Sequence, residues 1–228
     1  MIITIDGPVA TGKSTIARKL AEAIGYIFFD TGAMYRALTY GILKNKVDLK
    51  NPAALEEYLK KFQLDIRIFQ RERHYFVDNE DVTDKIRKDE VTSAVSEVSA
   101  LKPVRDKLVA VQRELSEGVN AVFEGRDMGT VVFPDASLKV FLTGRDEIRA
   151  KRRFDELKAK FPEECKDLTI ERCQEEITKR DYYDSHRELA PLFQSKDAFV
   201  VDTSDLSIDE IVYKILEHKD SQKTHKSS

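Results

Sequence analysis

Five short runs of the chain are almost wholly apolar and end in polar or turn-forming residues: Ile2–Asp6, Tyr26–Asp30, Asn120–Glu124, Leu138–Leu142 and Ala198–Asp202. Such runs fit central strands covered by helices on both faces. Between them, apolar residues recur three and four apart. Ile16, Leu20 and Ile24 mark a helix after the first strand, with Gly25 where a C-terminal cap belongs. Met34, Leu38 and Ile42 mark a second. Near the C-terminus, Ser207 and Glu210 form a capping box around a helix carrying Ile208, Ile211 and Ile215. This alternation predicts a doubly wound, five-stranded parallel α/β sheet. Ligands of such sheets gather at the carboxyl ends of the strands, where Asp30, Glu124 and Asp202 fall.

One stretch has a different rhythm. Asn51 and Pro52 read as an N-cap and first helical residue, followed by Leu55, Leu59 and Phe62. Leu64–Ile68 and His74–Asp78 alternate apolar with polar, as the strands of an antiparallel hairpin do. Two helical patterns follow, one on Val91, Val95 and Val98, the other from Pro103 through Val104, Leu108, Val111 and Leu115. The expected organisation is a single domain over residues 1–218, with a core of about 1–50 and 118–218 and an insert of about 51–117. Residues 219–228 show no periodicity and are expected to be disordered.

Composition narrows the function classes. The 228 residues carry 38 basic and 41 acidic groups, and this near balance leaves no global footprint for nucleic acid or an anionic membrane. Any polyphosphate binding must come from local clusters of Arg and Lys. Cys165 and Cys173 match neither a disulfide framework nor a zinc pattern, so they read as ordinary thiols of a reducing compartment. With no signal peptide and no apolar run near the length of a membrane span, a cytoplasmic protein is the expectation.

The most specific local chemistry follows the first strand. Gly7, Pro8, Val9, Ala10, Thr11, Gly12, Lys13 and Ser14, followed by Thr15, spell G-x-x-x-x-G-K-S between a strand and a helix. This is the phosphate-binding P-loop, which makes the sheet one of the P-loop NTPase type. The glycines let backbone N–H groups turn inward, Lys13 brings charge to the β- and γ-phosphates, and Ser14 can ligate Mg²⁺. A glycine-rich turn without function is the plain alternative, and the strand–loop–helix context argues against it.

A P-loop names a donor and leaves the acceptor open. Two phosphate-bearing substrates repel, so an acceptor phosphate needs further positive charge. Arg36 follows a strand end at Thr31 and Gly32, and Arg126 follows another in a glycine-flanked turn, a poor place for a merely solubilising charge. Arg180, Asp184 and Arg187 share one helical face by spacing, as do Arg145, Arg149, Arg152 and Arg153. Both arginine groups could equally be solvated ion-pair faces. Thr31 and Asp127 could merely cap a helix and close a turn.

IDGPVATGKST, DTGAMYR, EGRDMGTVVFPDA, the pair Arg152–Arg153 and KRDYYDSHRELAPL, in this order, resemble bacterial-type cytidylate kinases from Ile2 to about Leu216. The resemblance implies transfer of the ATP γ-phosphoryl group to CMP or dCMP, with Mg²⁺, in pyrimidine nucleotide metabolism. It implies that Thr31, Arg36, Arg126 and Arg187 hold the CMP phosphate, Arg180 and Asp184 meet the ribose, and Ser96, Arg105 and Asp127 read cytosine. Lys13, Arg152 and Arg153 would be the catalytic cations, the last two in a lid of about 150–168. The insert would be the subdomain on the monophosphate side. Four positions depart from the common pattern: Val9 and Ala10, where serine and glycine are frequent, Ser14, where some relatives have glycine, and Glu124, where an aspartate is often found. Two other functions compete: a P-loop kinase for UMP or another small acceptor, and an ATP-binding regulatory module without transfer. With no long apolar stripe left over, a monomer is expected.

Overall fold

The computed structural model describes residues 1–70, 72–163 and 165–226, the side chains of 223–226 excepted, and divides them into two compact units. The first comprises Met1–Phe29 and the chain from Ser116 onward; the second is Asp30–Leu115.

The first unit is built on a five-stranded parallel sheet of β1 (Ile2–Asp6), β2 (Ile27–Asp30), β6 (Ala121–Gly125), β7 (Leu138–Thr143) and β8 (Phe199–Asp202), in the order β2-β6-β1-β7-β8. β1 is central, paired with β6 from Ile2↔Ala121 to Asp6↔Gly125 and with β7 from Ile3↔Leu138 to Asp6↔Phe141. This register brings the carboxyl ends of β1 and β6 level. The runs of β1, β6 and β7 are largely buried as expected of covered strands, whereas the edge strands β2 and β8 expose Ile27 and Val200. Helix α1 (Lys13–Ile24) packs Ile16, Ala17, Leu20 and Ala21 into the same core as Ile3, Ile5, Val140 and Leu142, joined by Ile211, Val212 and Ile215 of α8 (Ile208–Lys226). Each fully buried Leu, Ile or Val of this core contributes roughly 1.5–3 kcal/mol. Helices α6 (Asp146–Lys160) and α7 (Ile170–His186) pack against one another after β7.

The C-terminal tail corrects the sequence expectation. Instead of ending near residue 218, α8 continues to Lys226, and only 227 and 228 of the expected tail lie outside the described residues. His218 stacks on Phe199 with ring centroids 4.0 Å apart, Lys219 is 9% exposed, and Gln222 Nε2 lies 3.0 Å from His218 Nε2. Ring stacking and i,i+4 contacts hold a helix that apolar periodicity alone does not announce. The predicted capping box is present: the Ser207 N–H and hydroxyl donate to Glu210 at 2.8 and 2.7 Å, and the Glu210 N–H donates back to Ser207 Oγ.

The second unit holds α2 (Thr31–Lys44), α3 (Pro52–Lys61), a three-stranded antiparallel sheet of β3 (Leu64–Phe69), β4 (Glu72–Val77) and β5 (Glu80–Asp81), then α4 (Asp89–Ala100) and α5 (Lys102–Leu115). Its boundaries fall at residues 30 and 115, where the sequence suggested about 51 and 117. The difference is α2. Its buried residues Met34, Leu38 and Ile42 join a core with Leu55, Leu59, Val77, Val95, Val98, Val104 and Leu108, so the helix packs with the insert. Asn51 caps α3 as expected, accepting from the Ala54 N–H at 3.2 Å.

Candidate active site

In the first unit the chain leaves β1 directly into the glycine-rich loop. Gly7 has φ +151°, and a Cβ there would lie 2.3 Å from the Leu142 carbonyl oxygen, so the sharp exit requires glycine. Gly12, at φ +85°, turns the chain into α1, which has no side-chain cap and no acidic residue in its first turn. Its leading N–H groups and the positive end of its dipole thus suit an anion. The Lys13 ammonium donates to the Pro8 carbonyl at 2.6 Å, and burial, then the nearby Arg126 charge, bring its pKa down to about 7. Ser14 Oγ donates to Glu124 Oε1 at 2.6 Å. This pairs a hydroxyl in the first turn of α1 with a carboxylate near the end of β6, oxygen donors of the kind that suit Mg²⁺.

Asp6 closes β1 one residue before the loop. Its two oxygens accept from the N–H groups of Met128 and Gly129 at 2.9 and 2.8 Å, which fixes the turn carrying Arg126 and Asp127. Burial raises its pKa to about 6 against the opposing pull of those hydrogen bonds. Sequence reasoning passed over Asp6; its only signal was an acid closing an apolar strand ahead of Gly7. The raised value brings protonation into an accessible range. A protonated carboxyl would aim an O–H at one of the two N–H donors, so kcat/KM should fall as pH drops below about 6. Asp6→Asn, which has the same mismatch at every pH, should lose most of that acidic limb along with activity. A pH profile of kcat/KM for both proteins checks this.

The predicted arginines of this unit form a cluster. Arg126 Nε donates to Asp184 Oδ2 at 3.0 Å, and Arg180 Nε lies 3.9 Å from the same oxygen. Arg187 Nη2 lies 3.6 Å from Asp127 Oδ1, and its Nε donates to the Ala190 carbonyl at 2.8 Å. Asp127 and Asp184 are buried. Burial, then the like charge of Arg126, lowers the Arg180 pKa to about 10, and its buried Nε makes no hydrogen bond. Arg126 stays above its ordinary value because Asp184 outweighs the cost of burial. Arg187 does not share a helical face with Arg180 and Asp184, because α7 ends at His186 and Arg187 is extended at φ −66°, ψ 146°.

The second arginine run divides. Arg145 pairs with Asp205 at the surface, Arg152 donates to the Thr203 hydroxyl and carbonyl at 2.9 and 2.6 Å, and Arg153 meets Glu156 at 3.2 Å. None of these hydrogen bonds brings Arg152 or Arg153 to the loop. Arg149, 5% exposed, is the member that reaches it, donating to the Val9 carbonyl at 2.9 Å.

In the second unit, Thr31 is buried at the first residue of α2, behind Asp30, which accepts from the Ala33 N–H at 2.8 Å and pairs with Arg87 at 3.1 Å. Arg36 Nη1 donates to Thr92 Oγ1 at 2.7 Å and to the Ile86 carbonyl at 3.3 Å. Arg105, 5% exposed, lies with its guanidinium carbon 5.8 Å from the centre of the Tyr35 ring. Ser96 is half-buried on α4. Asp30 was marked only as a strand end, without its partners; Arg87 and Thr92 were not anticipated, each being defined by a partner far away in sequence and by no motif.

A family model described as cytidylate kinase matches residues 3–221. The chain belongs to the cytidylate kinase family. It is 72% identical to a cytidylate kinase of Protochlamydia amoebophila over 228 residues, covering 100% of both chains. It is 46% identical to one of Bacillus velezensis over 215 residues, 94% of each. Among solved structures, shikimate kinase from Acinetobacter baumannii in complex with shikimate aligns over 97% of this chain and 94% of its own, at 14% identity and a TM-score of 0.50. That likeness concerns the fold: the cytidylate kinase family shares its parallel sheet with kinases of other acceptors.

Proposed function

We propose that the chain transfers the γ-phosphoryl group of ATP to CMP and dCMP by direct in-line transfer assisted by Mg²⁺. One observation carries the acceptor half of this reading. In the first unit three guanidinium groups, Arg126, Arg180 and Arg187, gather around the buried carboxylates Asp127 and Asp184, and the Arg126 charge helps to lower the Arg180 pKa. This cluster of guanidinium groups, with a buried Arg180 Nε that makes no hydrogen bond, suits an anionic ligand with a neighbouring hydroxyl, as a nucleoside monophosphate provides. Arg126 and Arg187 would hold its phosphate, Arg180 and Asp184 its ribose. Asp127 would accept from the cytosine amine. In the second unit, Thr31 and Arg36 are assigned to phosphate, Ser96 and Arg105 to the base. Gly7–Thr15 would cradle ATP. Ser14, with Glu124 behind it, would hold Mg²⁺, which supplies charge neutralisation on the phosphates. Arg152 and Arg153 would act from the α6–α7 segment as a lid that excludes water.

Positioning and charge neutralisation suffice for this chemistry, and no covalent enzyme intermediate is required. A monomer acting in the cytoplasm on free nucleotides is the corresponding working state; among the described residues no helix is long and apolar enough to cross a membrane. The specificity claim is tested with a panel of nucleoside monophosphates under ATP and Mg²⁺. CMP and dCMP should be phosphorylated, and UMP with kcat/KM lower by at least about 10²-fold, because its carbonyl would face the Asp127 carboxylate. Equal rates for UMP and CMP overturn it. Turnover of ATP only when no monophosphate is present would instead support a regulatory module.

A further inference from the structure

The donor loop is gripped from outside its own motif. Both backbone groups of Val9 are taken by one ion pair: its N–H donates to Asp181 Oδ1 at 2.9 Å, and its carbonyl accepts from Arg149 Nη1 at 2.9 Å. Arg149 Nη1 also donates to Asp181 Oδ2 at 2.5 Å, which closes the ring. Arg149 is itself fixed on its remaining sides, through Nε to the Gly144 carbonyl at 3.0 Å and Nη2 to Asp146 Oδ1 at 2.6 Å. The side chains of Arg149 and Asp181 are 6% and 17% exposed, so water competes weakly for these bonds.

The next residue gives the grip a purpose. Ala10 has φ +60°, in the left-handed region where a Cβ collides with the backbone and which residues other than glycine rarely adopt. A glycine there would hold this turn without help; an alanine tends to leave it. With both polar groups of Val9 tied down, the chain entering Ala10 has a fixed direction. On the other side, Pro8 is bound through its carbonyl by Lys13 and by Thr11 Oγ1 at 3.1 Å.

We propose that Asp181 and Arg149 are positioning residues for ATP: they hold the donor loop in a backbone shape that its own sequence disfavours. ATP affinity then depends on the α6–α7 helix pair, which contributes no residue to the P-loop motif. The inference rests on the reading of Gly7–Thr15 as the ATP cradle. It gives α7 two neighbouring tasks, with Arg180 and Asp184 assigned to the acceptor and Asp181 to the donor.

The test measures KM and kcat for ATP and for CMP, together with direct ATP binding by calorimetry. Asp181→Ala is expected to raise the KM and Kd for ATP about 10-fold, the effect of losing one charged hydrogen-bonding partner, with the CMP KM within twofold at saturating ATP. In the Ala10→Gly background the same Asp181→Ala penalty should shrink to about threefold or less, because a left-handed glycine is unstrained. A purely structural role for Asp181 would not depend on residue 10. Should Asp181→Ala not fold, Asp181→Asn carries the same comparison, keeping the size and the acceptor for Val9 while losing the charge opposite Arg149. The proposal is overturned by an unchanged ATP KM, by equal rises for ATP and CMP, or by a penalty of the same size in the Ala10→Gly background. Lys13→Met, measured in parallel, separates the two levels. If it too leaves ATP use intact, the cradle reading fails; if it alone impairs ATP use, only the clamp fails.

Discussion

Replacing Lys13 by methionine is expected to lower kcat about 10²–10³-fold, the cost of removing one charge-stabilising donor from a preorganised site, with little change in CMP affinity. Methionine preserves the length and packing of the side chain, so the melting temperature should stay close to that of the parent. The same substitution has a second readout. In the nucleotide-free chain, burial and Arg126 hold the Lys13 pKa at about 7, below the ordinary 10.5. The triphosphate is strongly anionic and would push that value back up. ATP binding between pH 7 and 8 should therefore take up a proton. Calorimetry in two buffers of different ionisation enthalpy measures the uptake, and Lys13→Met should lose it. Undiminished uptake in the variant would assign the proton to another group, and undiminished kcat would remove Lys13 from the transfer step.

The parts legible in the sequence were those where one local pattern has one structural outcome. Covered parallel strands must be apolar on both faces, so the runs around Ile3, Phe28, Phe123, Val140 and Val201 stood out, and the observed strands differ from the expected ones by at most one residue at either end. The P-loop was legible because its glycines and Lys13 form one contiguous eight-residue pattern, although Arg149 and Asp181 hold part of its backbone from outside. Helix membership was not. The apolar face of α2 is equally suited to a sheet or to the helices of the second unit, and only the packed core of Met34, Leu38 and Ile42 decides. Least visible were polar contacts across long sequence distances. Val9 and Asp181 are 172 residues apart, and Asp6 and Gly129 are 123 apart. At the level of sequence, Asp181 is one acid among Arg180, Asp184 and Arg187, and nothing in that spacing says it faces another loop. The tail failed for the opposite reason: absence of apolar periodicity argues against core packing, which is a weaker statement than absence of helix.

Asp184→Ala should be the most damaging single change to the acceptor cluster, and its damage should be electrostatic. The carboxylate is 3% exposed, accepts from Arg126 at 3.0 Å and lies 3.9 Å from Arg180. Removing it takes away the carboxylate that acts most strongly on both guanidinium groups and leaves their mutual repulsion far less compensated. The expected loss is on the order of 3–5 kcal/mol, the cost of leaving a buried charge unpaired. For a chain of this size that lowers the melting temperature by roughly 6–20 °C. Cavity formation alone would give a loss that no anion repairs. An unpaired positive cluster instead gains a binding site, so inorganic phosphate should raise the melting temperature of Asp184→Ala more than that of the parent. Adding Arg126→Met to the variant should recover part of the lost stability, since one of the two repelling charges is then gone. A melting curve indifferent to both phosphate and Arg126→Met would mean that Asp184 acts through packing or through its neighbours on α7, and the anion-binding guanidinium cluster on which the acceptor assignment rests would no longer be supported.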